Sequence, residues 1–345
     1  MQQSVKESSS PHVGANGQKS GKTAAQSLAP PEPARLFPER KPRTDAAPQS
    51  RVFAVAGGKG GVGKSLLAAN LGVFFARSGK HTSLIDADLG CPNLHSCLGL
   101  KGTRLGLSDF LKNRVATLNE AAVETGVESL KLVGGMRDHL TIPNLTYYEK
   151  KKLIAAIPDL PSDTVFLDLS AGTSFNTIDL FLASSVGVLL VLPEPTSVEN
   201  LYRFLRAVAH RCISNVSKDE EVVNVLNEAE DWSSPLGMRA PADVLERIER
   251  LRPEVVPQCE AVLGRLDLRL VVNQARRPED TRLAENIARI VRSHFGLRME
   301  SLGALDYDLA AWRSVASRKI LLEDFPKSAV AQGIVRLGEK LLGAA

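Results

Sequence analysis

The feature that most constrains the fold is a glycine-rich segment with the sequence GGKGGVGKS, which runs from Gly57 to Ser65. An apolar run over residues 52–56 precedes it, and a helical pattern from Lys64 to Arg77 follows. Glycines let backbone N–H groups converge on phosphate oxygens, and the first turn of the following helix adds partial positive charge. The spacing G-x-x-x-x-G-K-[ST] over residues 58–65 therefore predicts a strand, a phosphate-binding loop (P-loop) and a helix in that order.

Beyond residue 50 the chain alternates short apolar runs with helical stretches. The runs lack a polar–apolar alternation, which is typical of parallel strands buried on both faces. The predicted strands are Val52 to Ala56, Thr82 to Ile85, Thr164 to Leu167, Val186 to Leu192 and Leu270 to Val272. The predicted helices are Lys64 to Arg77, Tyr147 to Ile157, Val198 to Arg211 and Thr281 to Phe295. This order predicts an α/β fold with a doubly wound, mostly parallel sheet and helices on both faces.

Composition divides the chain into a tail and a folded domain. Residues 1–50 hold seven of the nineteen prolines and seven serines, together with a small excess of basic over acidic residues. Such a segment buries too little apolar surface to fold, so we expect a disordered Pro/Ser-rich basic tail there. Residues 51–345 are expected to form one P-loop domain. The stretch before the predicted strand at Leu270 is longer than a βα connection needs, so we expect a helical insertion at about 213–266.

Carboxylates follow two of the predicted strands. Asp86 and Asp88 come at the end of the run that begins at Thr82, and Asp168 ends the run that begins at Thr164. In a parallel sheet both strand ends lie at the same edge as the P-loop. Phosphoryl transfer needs a carboxylate that holds Mg²⁺ and a polar group that orients the attacking water. A single aspartate here would suit a helix cap equally well, but their combination with the P-loop favours a catalytic site.

A second lysine at the start of the loop, Lys59, resembles the deviant Walker A motif of the MinD/ParA family of ATPases. The segment DADLG from Asp86 to Gly90 resembles the MinD and FlhG (FleN) subgroup more than it resembles ParA. Asp168 to Gly172 is similar to the family's D-x-x-A-G switch, and Pro193 to Val198 is similar to its P-E-x-x-S-V segment. The resemblance covers roughly residues 51–342.

This resemblance implies roles for particular residues. ATP would be bound by Gly58, Lys59, Gly60, Gly61, Val62, Gly63, Lys64 and Ser65, with Asn273 at the adenine. Ser65 and Asp168 would hold Mg²⁺, the latter through water, and Asp168, Ala171 and Gly172 would form the switch. Catalysis would involve Lys59, Asp86 and Asp88. The family's ATP-dependent homodimer implies that Lys59 reaches the partner subunit's phosphates while Asp86 and Asp88 position water and metal.

From the resemblance we expect an ATP-binding and ATP-hydrolysing switch that positions or regulates a cellular assembly, such as a division site, a flagellum or another polar cargo. Its protein activator or cargo is not given by the sequence. We expect a cytoplasmic protein whose membrane contact arrives through a partner. The apolar stripe Val330, Ile334, Leu337 and Leu341 falls where the domain's own final helix is expected, so packing onto the sheet is favoured over a membrane anchor.

Other functions share parts of this sequence pattern. An iron–sulfur cluster carrier of the Mrp type shares the loop, but the four cysteines form no C-x-x-C pair. A ParA-like, DNA-tracking partition ATPase would need a basic patch, for which Arg313, Arg318 and Lys319 are candidates. The chain after residue 50 is close to neutral, which gives no strong evidence for nucleic-acid binding. A module that binds ATP without hydrolysing it is the remaining alternative.

Overall fold

The computed structural model describes residues 50–135, 145–230 and 240–343. The strands in these ranges are β1 (Arg51–Ala56), β2 (Thr82–Ala87), β3 (Val123–Glu124), β4 (Leu130–Val133), β5 (Thr164–Leu169), β6 (Val186–Val191), β7 (Leu268–Ala275) and β8 (Met299–Asp306). They form one sheet in the order β3-β4-β2-β5-β1-β6-β7-β8. Neighbouring strands are parallel except for β3 and β4. The predicted doubly wound, mostly parallel α/β fold is therefore confirmed.

Helices connect the strands. Within the described ranges they are α1 (Lys64–Arg77), α2 (Leu94–Cys97), α3 (Leu107–Leu111), α4 (Tyr147–Ala156), α5 (Phe175–Leu182), α6 (Pro195–Val216), α7 (Glu220–Glu230), α8 (Pro241–Leu251), α9 (Val256–Gly264), α10 (Asp280–Phe295), α11 (Leu309–Ser317), α12 (Leu321–Asp324) and α13 (Ala329–Gly343). A short 3₁₀ helix, Ile157–Asp159, follows α4. Local signals explain several boundaries. The Thr146 side chain accepts a hydrogen bond from the Glu149 amide at the start of α4, and α10 ends at a left-handed Gly296.

The sheet separates two hydrophobic cores. Successive side chains of β1 point to opposite faces, so Val52 and Ala54 belong to one core while Phe53 and Val55 belong to the other. The first core is covered by α3 to α10, and the second by α1, α2 and α11 to α13. In the second core the Phe53 ring stacks on the Phe166 ring, with centroids 4.9 Å apart. Because β1 is buried on both faces in the middle of the sheet, the loop that follows it is held rigidly at its base.

The last helix, α13, packs against α1 and β8. Its stripe of Val330, Ile334, Leu337 and Leu341 is at most 3% exposed. The prediction that this stripe belongs to the core is confirmed. Across the three described ranges, none of the helices combines the length and the apolar character needed to cross a bilayer.

The region between β6 and β7 differs in detail from the sequence-based expectation. The helix predicted over Val198–Arg211 is longer at both ends, because Pro195 suits a first helical position after an extended Glu194, and the buried stripe continues through Ile213. The predicted insertion therefore begins inside α6. It continues as α7, α8 and α9; α8 starts at Pro241, as expected. The predicted tail, 1–50, lies outside the described residues except for Ser50.

Candidate functional site

The glycine-rich loop joins the end of β1 to the start of α1. Gly63, directly before α1, has a φ of 96°, in the left-handed region. A Cβ at that position would also lie 2.5 Å from the Asn273 amide nitrogen. A Cβ at Gly58 would lie 2.1 Å from the backbone oxygen of Asn200 in α6. Glycine is needed at Gly63 for the backbone conformation and at Gly58 for the close approach of α6.

Lys64, the first residue of α1, is only 7% exposed. Burial lowers the pKa of its ammonium group, whereas the neighbouring carboxylates Asp168 and Asp88 raise it. The ammonium is therefore enclosed at the base of the loop, with negative groups close by. A buried cation at the N-terminus of a helix is an arrangement suited to phosphate oxygens.

The carboxylates of β2 and β5 lie side by side. The two strands pair in register, with Asp86 opposite Asp168, and both residues are fully buried. Asp86 Oδ2 accepts a hydrogen bond of 3.0 Å from the Leu94 amide. In the described part of the chain, Asp86 Oδ1 and both oxygens of Asp168 have no partner in hydrogen-bonding geometry. Buried carboxylate oxygens without partners are costly, so this edge of the sheet is suited to a cationic ligand.

Burial also perturbs the pKa values of both carboxyl groups. Burial is the largest cause of the rise in the pKa of Asp86 well above its usual range, and the charge of Asp168 adds to it. Burial raises the pKa of Asp168 to about 7, although the nearby Ser65 hydroxyl and Lys64 ammonium favour its charged form. A divalent cation would shift both groups back to the carboxylate form.

The donor set at this edge fits Mg²⁺. The Ser65 hydroxyl lies close enough to Asp168 to influence its pKa, and hydroxyl and carboxylate oxygens are ligands that Mg²⁺ accepts. Among the residues that the structure describes, no three Asp, Glu, His or Cys side chains form a complete metal site. Mg²⁺ usually keeps several waters and binds substrate phosphates, so it needs few protein ligands.

Asp88 has a different environment from Asp86 and Asp168. It is partly exposed and lines a cavity of about 1500 Å³ at the carboxyl edge of the sheet. Its Oδ1 accepts hydrogen bonds from the amides of Gly90 and Cys91, both at 3.1 Å, and from the Ser170 hydroxyl at 3.0 Å. Sequence reasoning missed Ser170 as a site residue; its place within the segment Asp168–Gly172 was the available signal.

The predicted switch segment contacts the P-loop. The Gly172 amide donates to the Gly57 carbonyl at 3.4 Å, and Gly172 has a φ of 88°. Ala171 and Ser170 line the same cavity as Asp88. A displacement of this segment would therefore act on both the loop and Asp88.

Lys59 lies at the other side of the loop and is half-exposed. Its Nζ is 3.0 Å from Glu194 Oε2 and 3.4 Å from the Thr196 hydroxyl, at the start of α6. The Lys59 and Glu194 side chains are 39% and 51% exposed. No local sequence pattern predicts that Glu194 and Thr196 contact Lys59.

Asn273, in β7, lies beside the loop. Its Nδ2 donates to the Val62 carbonyl at 2.8 Å, and its Oδ1 accepts from the Gln274 amide at 2.9 Å. Asn273 also lines the large cavity, together with Tyr307, which follows β8. One N–H of the amide supports the loop, which leaves the other for a ligand. Its assignment to the adenine stays a prediction.

The cysteines near the cavity do not resemble a metal-cluster site. Cys91 is exposed and Cys97 is buried. Burial raises the pKa of Cys97 to about 12, so its thiol stays protonated at neutral pH, whereas thiolates ligate metals.

A P-loop follows the central strand β1, and carboxylates lie at the ends of β5 and β2, the next two strands of the sheet. This arrangement defines a P-loop nucleotide-binding protein of the doubly wound class. A family model of the CobQ/CobB/MinD/ParA nucleotide-binding domain matches residues 53–322. The chain belongs to this family, as the sequence resemblance indicated.

Individual relatives agree with this assignment. The chain is 22% identical to the antiactivator FleN of Pseudomonas aeruginosa over 294 residues, which are 84% of this chain and 86% of FleN. It is 25% identical to the septum site-determining protein MinD of Buchnera aphidicola over 219 residues, 62% of this chain and 80% of that protein. The solved structure of MinD complexed with Mg-ADP from Pyrococcus horikoshii has the same fold, with a TM-score of 0.58 at 19% identity, over 85% of this chain and 96% of that one.

Proposed function

We propose that this protein is a Mg²⁺-dependent ATPase that dimerises on ATP and acts as a switch controlling the position or activity of a cellular assembly. The observation that carries the proposal is the arrangement at the P-loop, where Asp86 lies opposite Asp168 on paired strands and Lys64 lines the same cavity as Asp88. Membership of the nucleotide-binding family supports it, as does the fold shared with the MinD structure that contains Mg-ADP.

Different side chains of this protein would bind the phosphates and the metal ion. Lys64 and the N–H groups of the loop would bind the β- and γ-phosphates, and the Ser65 hydroxyl with the Asp168 carboxylate would hold Mg²⁺, Asp168 through water. When bound, Mg²⁺ supplies charge neutralisation at the phosphates. Phosphoryl transfer is catalysed mainly by positioning the reacting groups and by stabilising the charge that develops. These residues are suited to both tasks.

The two remaining carboxylates have unequal access to a reacting water. Asp88 is partly exposed and lines the cavity. Asp86 is fully buried, and one of its two oxygens accepts a hydrogen bond from the Leu94 amide. We therefore assign the orientation of the attacking water to Asp88. Asp86 would maintain the negative potential that attracts the metal and would fix the start of α2.

The dimer would bring a second lysine to each site. Lys59 is held by Glu194 in an exposed ion pair, and such pairs are worth about 1 kcal/mol or less. A cation that can be released at so small a cost is suited to reach the phosphates of a partner subunit. Arg and Lys residues supplied in this way stabilise the charge that develops in phosphoryl transfer.

A protein partner would determine which cellular process this ATPase controls. FleN is named an antiactivator and MinD a septum site-determining protein, and one structure with the same fold is a MinC:MinD complex from Aquifex aeolicus. Any membrane contact would arrive through a partner, because the stripe of α13 is buried. A DNA-tracking role has less support, since the chain after residue 50 is close to neutral.

Phosphate release by the purified full-length protein tests the proposal. We expect slow turnover with Mg-ATP, no turnover when EDTA removes Mg²⁺, and at least tenfold less turnover with Mg-GTP. A protein that binds ATP in calorimetry yet releases no phosphate, alone or at high protein concentration, would support the non-hydrolysing module instead.

A further inference from the structure

Asp179, in α5, is a fully buried residue that the proposed chemistry does not use. Donors from two other helices reach its carboxylate. Arg211 of α6 donates from Nε to Oδ1 at 2.7 Å and from Nη2 to Oδ2 at 3.1 Å, and Lys150 of α4 pairs with Oδ2. The side chains of Lys150 and Arg211 are only 8% and 21% exposed. Asp179 therefore ties α5 to both α4 and α6.

This ionic cluster depends on its carboxylate. Asp179 carries one negative charge against the two positive charges of Lys150 and Arg211, and neither cation pairs with a second acidic residue in the described part of the chain. An unpaired ion in a buried site is costly. Loss of the carboxylate would leave two buried cations without a counter-charge, whereas loss of one cation would leave a balanced pair. The relative positions of the three helices therefore depend most on Asp179.

The side of α5 away from Asp179 is a wall of the nucleotide cavity. Asn176, Thr177 and Leu180 line that cavity, and so does Ser174, which caps the helix. Asp179 follows Thr177 by two positions, which is a rotation of about 200° around a helix. A helix held at Asp179 therefore presents Thr177 to the cavity, and a shift of α5 would move this wall.

The helix α5 also begins directly after the switch segment Asp168–Gly172. Ser174 Oγ accepts a hydrogen bond of 3.2 Å from the Thr177 amide, which fixes the first turn. Within the switch, the Ser170 hydroxyl donates to Asp88 Oδ1 at 3.0 Å. Few residues separate Ser170 from Ser174, and each spans less than about 4 Å of chain. A displacement of α5 is therefore passed on to the hydroxyl that contacts Asp88.

We infer that Asp179 is a positioning residue for the proposed ATPase. Held by Lys150 and Arg211, it sets the position of α5 and, through α5, the contact of the Ser170 hydroxyl with Asp88. The inference rests on the proposed function and adds to it a residue that touches neither nucleotide nor metal. Asp179 acts on turnover rather than on affinity, because the phosphate-binding groups lie in the P-loop and in α1.

Phosphate release and calorimetry on the full-length protein test this inference. At saturating Mg-ATP, Asp179→Asn should turn over at least about tenfold more slowly, since a small misplacement of reacting groups can cost up to about a hundredfold in rate. Its dissociation constant for Mg-ATP should stay close to that of the wild type. Sedimentation velocity with Mg-ATP establishes that both proteins are compared in the same oligomeric state.

Two further variants make the result specific. Arg211→Gln keeps the balanced pair of Lys150 and Asp179, so it should fold even if Asp179→Asn does not, and it should slow turnover to a smaller extent. Arg269→Gln is the matched control. Arg269 is 13% exposed and pairs with Asp267 at 2.6 Å, at the end of β7 opposite the nucleotide cavity, so its loss should leave turnover unchanged.

A double-mutant cycle shows whether Asp179 acts through Ser170. Ser170→Ala should slow turnover in the wild type and have little further effect in Asp179→Asn, because the hydroxyl is already displaced from Asp88. If Asp179→Asn does not fold, Arg211→Gln takes its place in the cycle. Two effects that multiply would show a structural role alone and would overturn the inference, as would unchanged turnover of Asp179→Asn.

Hydrogen exchange of the nucleotide-free protein separates this inference from the proposed function. Residues 170–182 should exchange faster in Asp179→Asn than in the wild type or in Arg269→Gln, because α5 is held less firmly. If the wild type releases no phosphate, the ATPase proposal fails, and the exchange experiment alone decides whether Asp179 holds α5. Unchanged exchange of this segment in both Asp179→Asn and Arg211→Gln would overturn the inference.

Discussion

The two lysines of one loop have opposite environments. Lys64 is 7% exposed and is enclosed with Asp168 and Asp88, whereas the Lys59 side chain is 39% exposed and pairs with Glu194 on the surface. Burial fixes the ammonium of Lys64 where phosphates are expected, so its contribution depends on this subunit alone. Lys59 is held by an exposed ion pair and can change partners at a cost of about 1 kcal/mol or less. The same residue type is therefore suited to a permanent role at one position and a conditional role at the other.

Removal of the buried lysine should have the largest effect. Lys64→Ala should weaken ATP binding about a hundredfold or more, because it deletes a charge-assisted contact and leaves the carboxylates around it uncompensated. Isothermal titration calorimetry with Mg-ATP measures the change, with Lys80→Ala at an exposed position as the control. Unchanged affinity for ATP in Lys64→Ala would show that the loop does not bind the phosphates.

Removal of the exposed lysine should separate binding from turnover. Lys59→Ala should bind ATP within a few-fold of the wild type, yet lose the ATP-dependent dimer and on the order of 10³-fold or more in turnover. Sedimentation velocity with Mg-ATP and a phosphate-release assay give the two measurements. Loss of ATP binding equal to that of Lys64→Ala would show that both lysines act within one subunit.

Among the three carboxylates, loss of Asp88 should reduce the turnover rate most once ATP is bound. Asp88→Ala should bind ATP and dimerise but turn over about 10²-fold more slowly, because water orientation is lost while phosphate contacts remain. Asp88 also accepts the Ser170 hydrogen bond, so Ser170→Ala serves as the comparison and should cost less. Normal phosphate release from Asp88→Ala would move water orientation to Asp86 or Asp168.

The buried carboxylate pair predicts a pH dependence of stability without ligand. The pKa of Asp168 is raised to about 7, so the folded state binds its proton more tightly than the unfolded state does. This group's contribution to stability is therefore greatest below about pH 4 and falls as the pH rises towards 7. Asp168→Asn has no carboxyl group to deprotonate, so this variant should not lose stability in that way. Its free energy of unfolding relative to the wild type should therefore rise by on the order of 2–3 kcal/mol between pH 5 and pH 8. Urea unfolding at both pH values, without Mg²⁺ or nucleotide, measures it; an unchanged difference would contradict the assigned environment of Asp168.

Much of this architecture was readable in the sequence because its signals are local. The loop from Gly57 to Ser65 and the apolar runs before and after it predicted β1, α1 and the parallel sheet. The ends of β2 and β5 predicted that Asp86 and Asp168 share an edge of that sheet. The three strands that were missed give weak signals: β3 has two residues, β4 has four, and polar and glycine positions interrupt β8.

The contacts that distinguish Lys59 from Lys64 could not be predicted from local sequence signals. Lys59 and Glu194 are separated by 135 positions in sequence, and their pairing depends on where α6 packs against the loop. The limits of the insertion and the roles of the individual site residues stay predictions.

Mixing two inactive variants tests most directly whether Lys59 acts across a dimer. Lys59→Ala and Asp88→Ala should each turn over slowly alone. In a mixed dimer, the site with its own Asp88 receives Lys59 from the other subunit, so the mixture should regain turnover. The upper limit is roughly a quarter of the wild-type value, which fully random pairing into two-fold dimers would give. A mixture no more active than the two variants measured separately would contradict the account, because both lysines would then serve the phosphates of their own subunit.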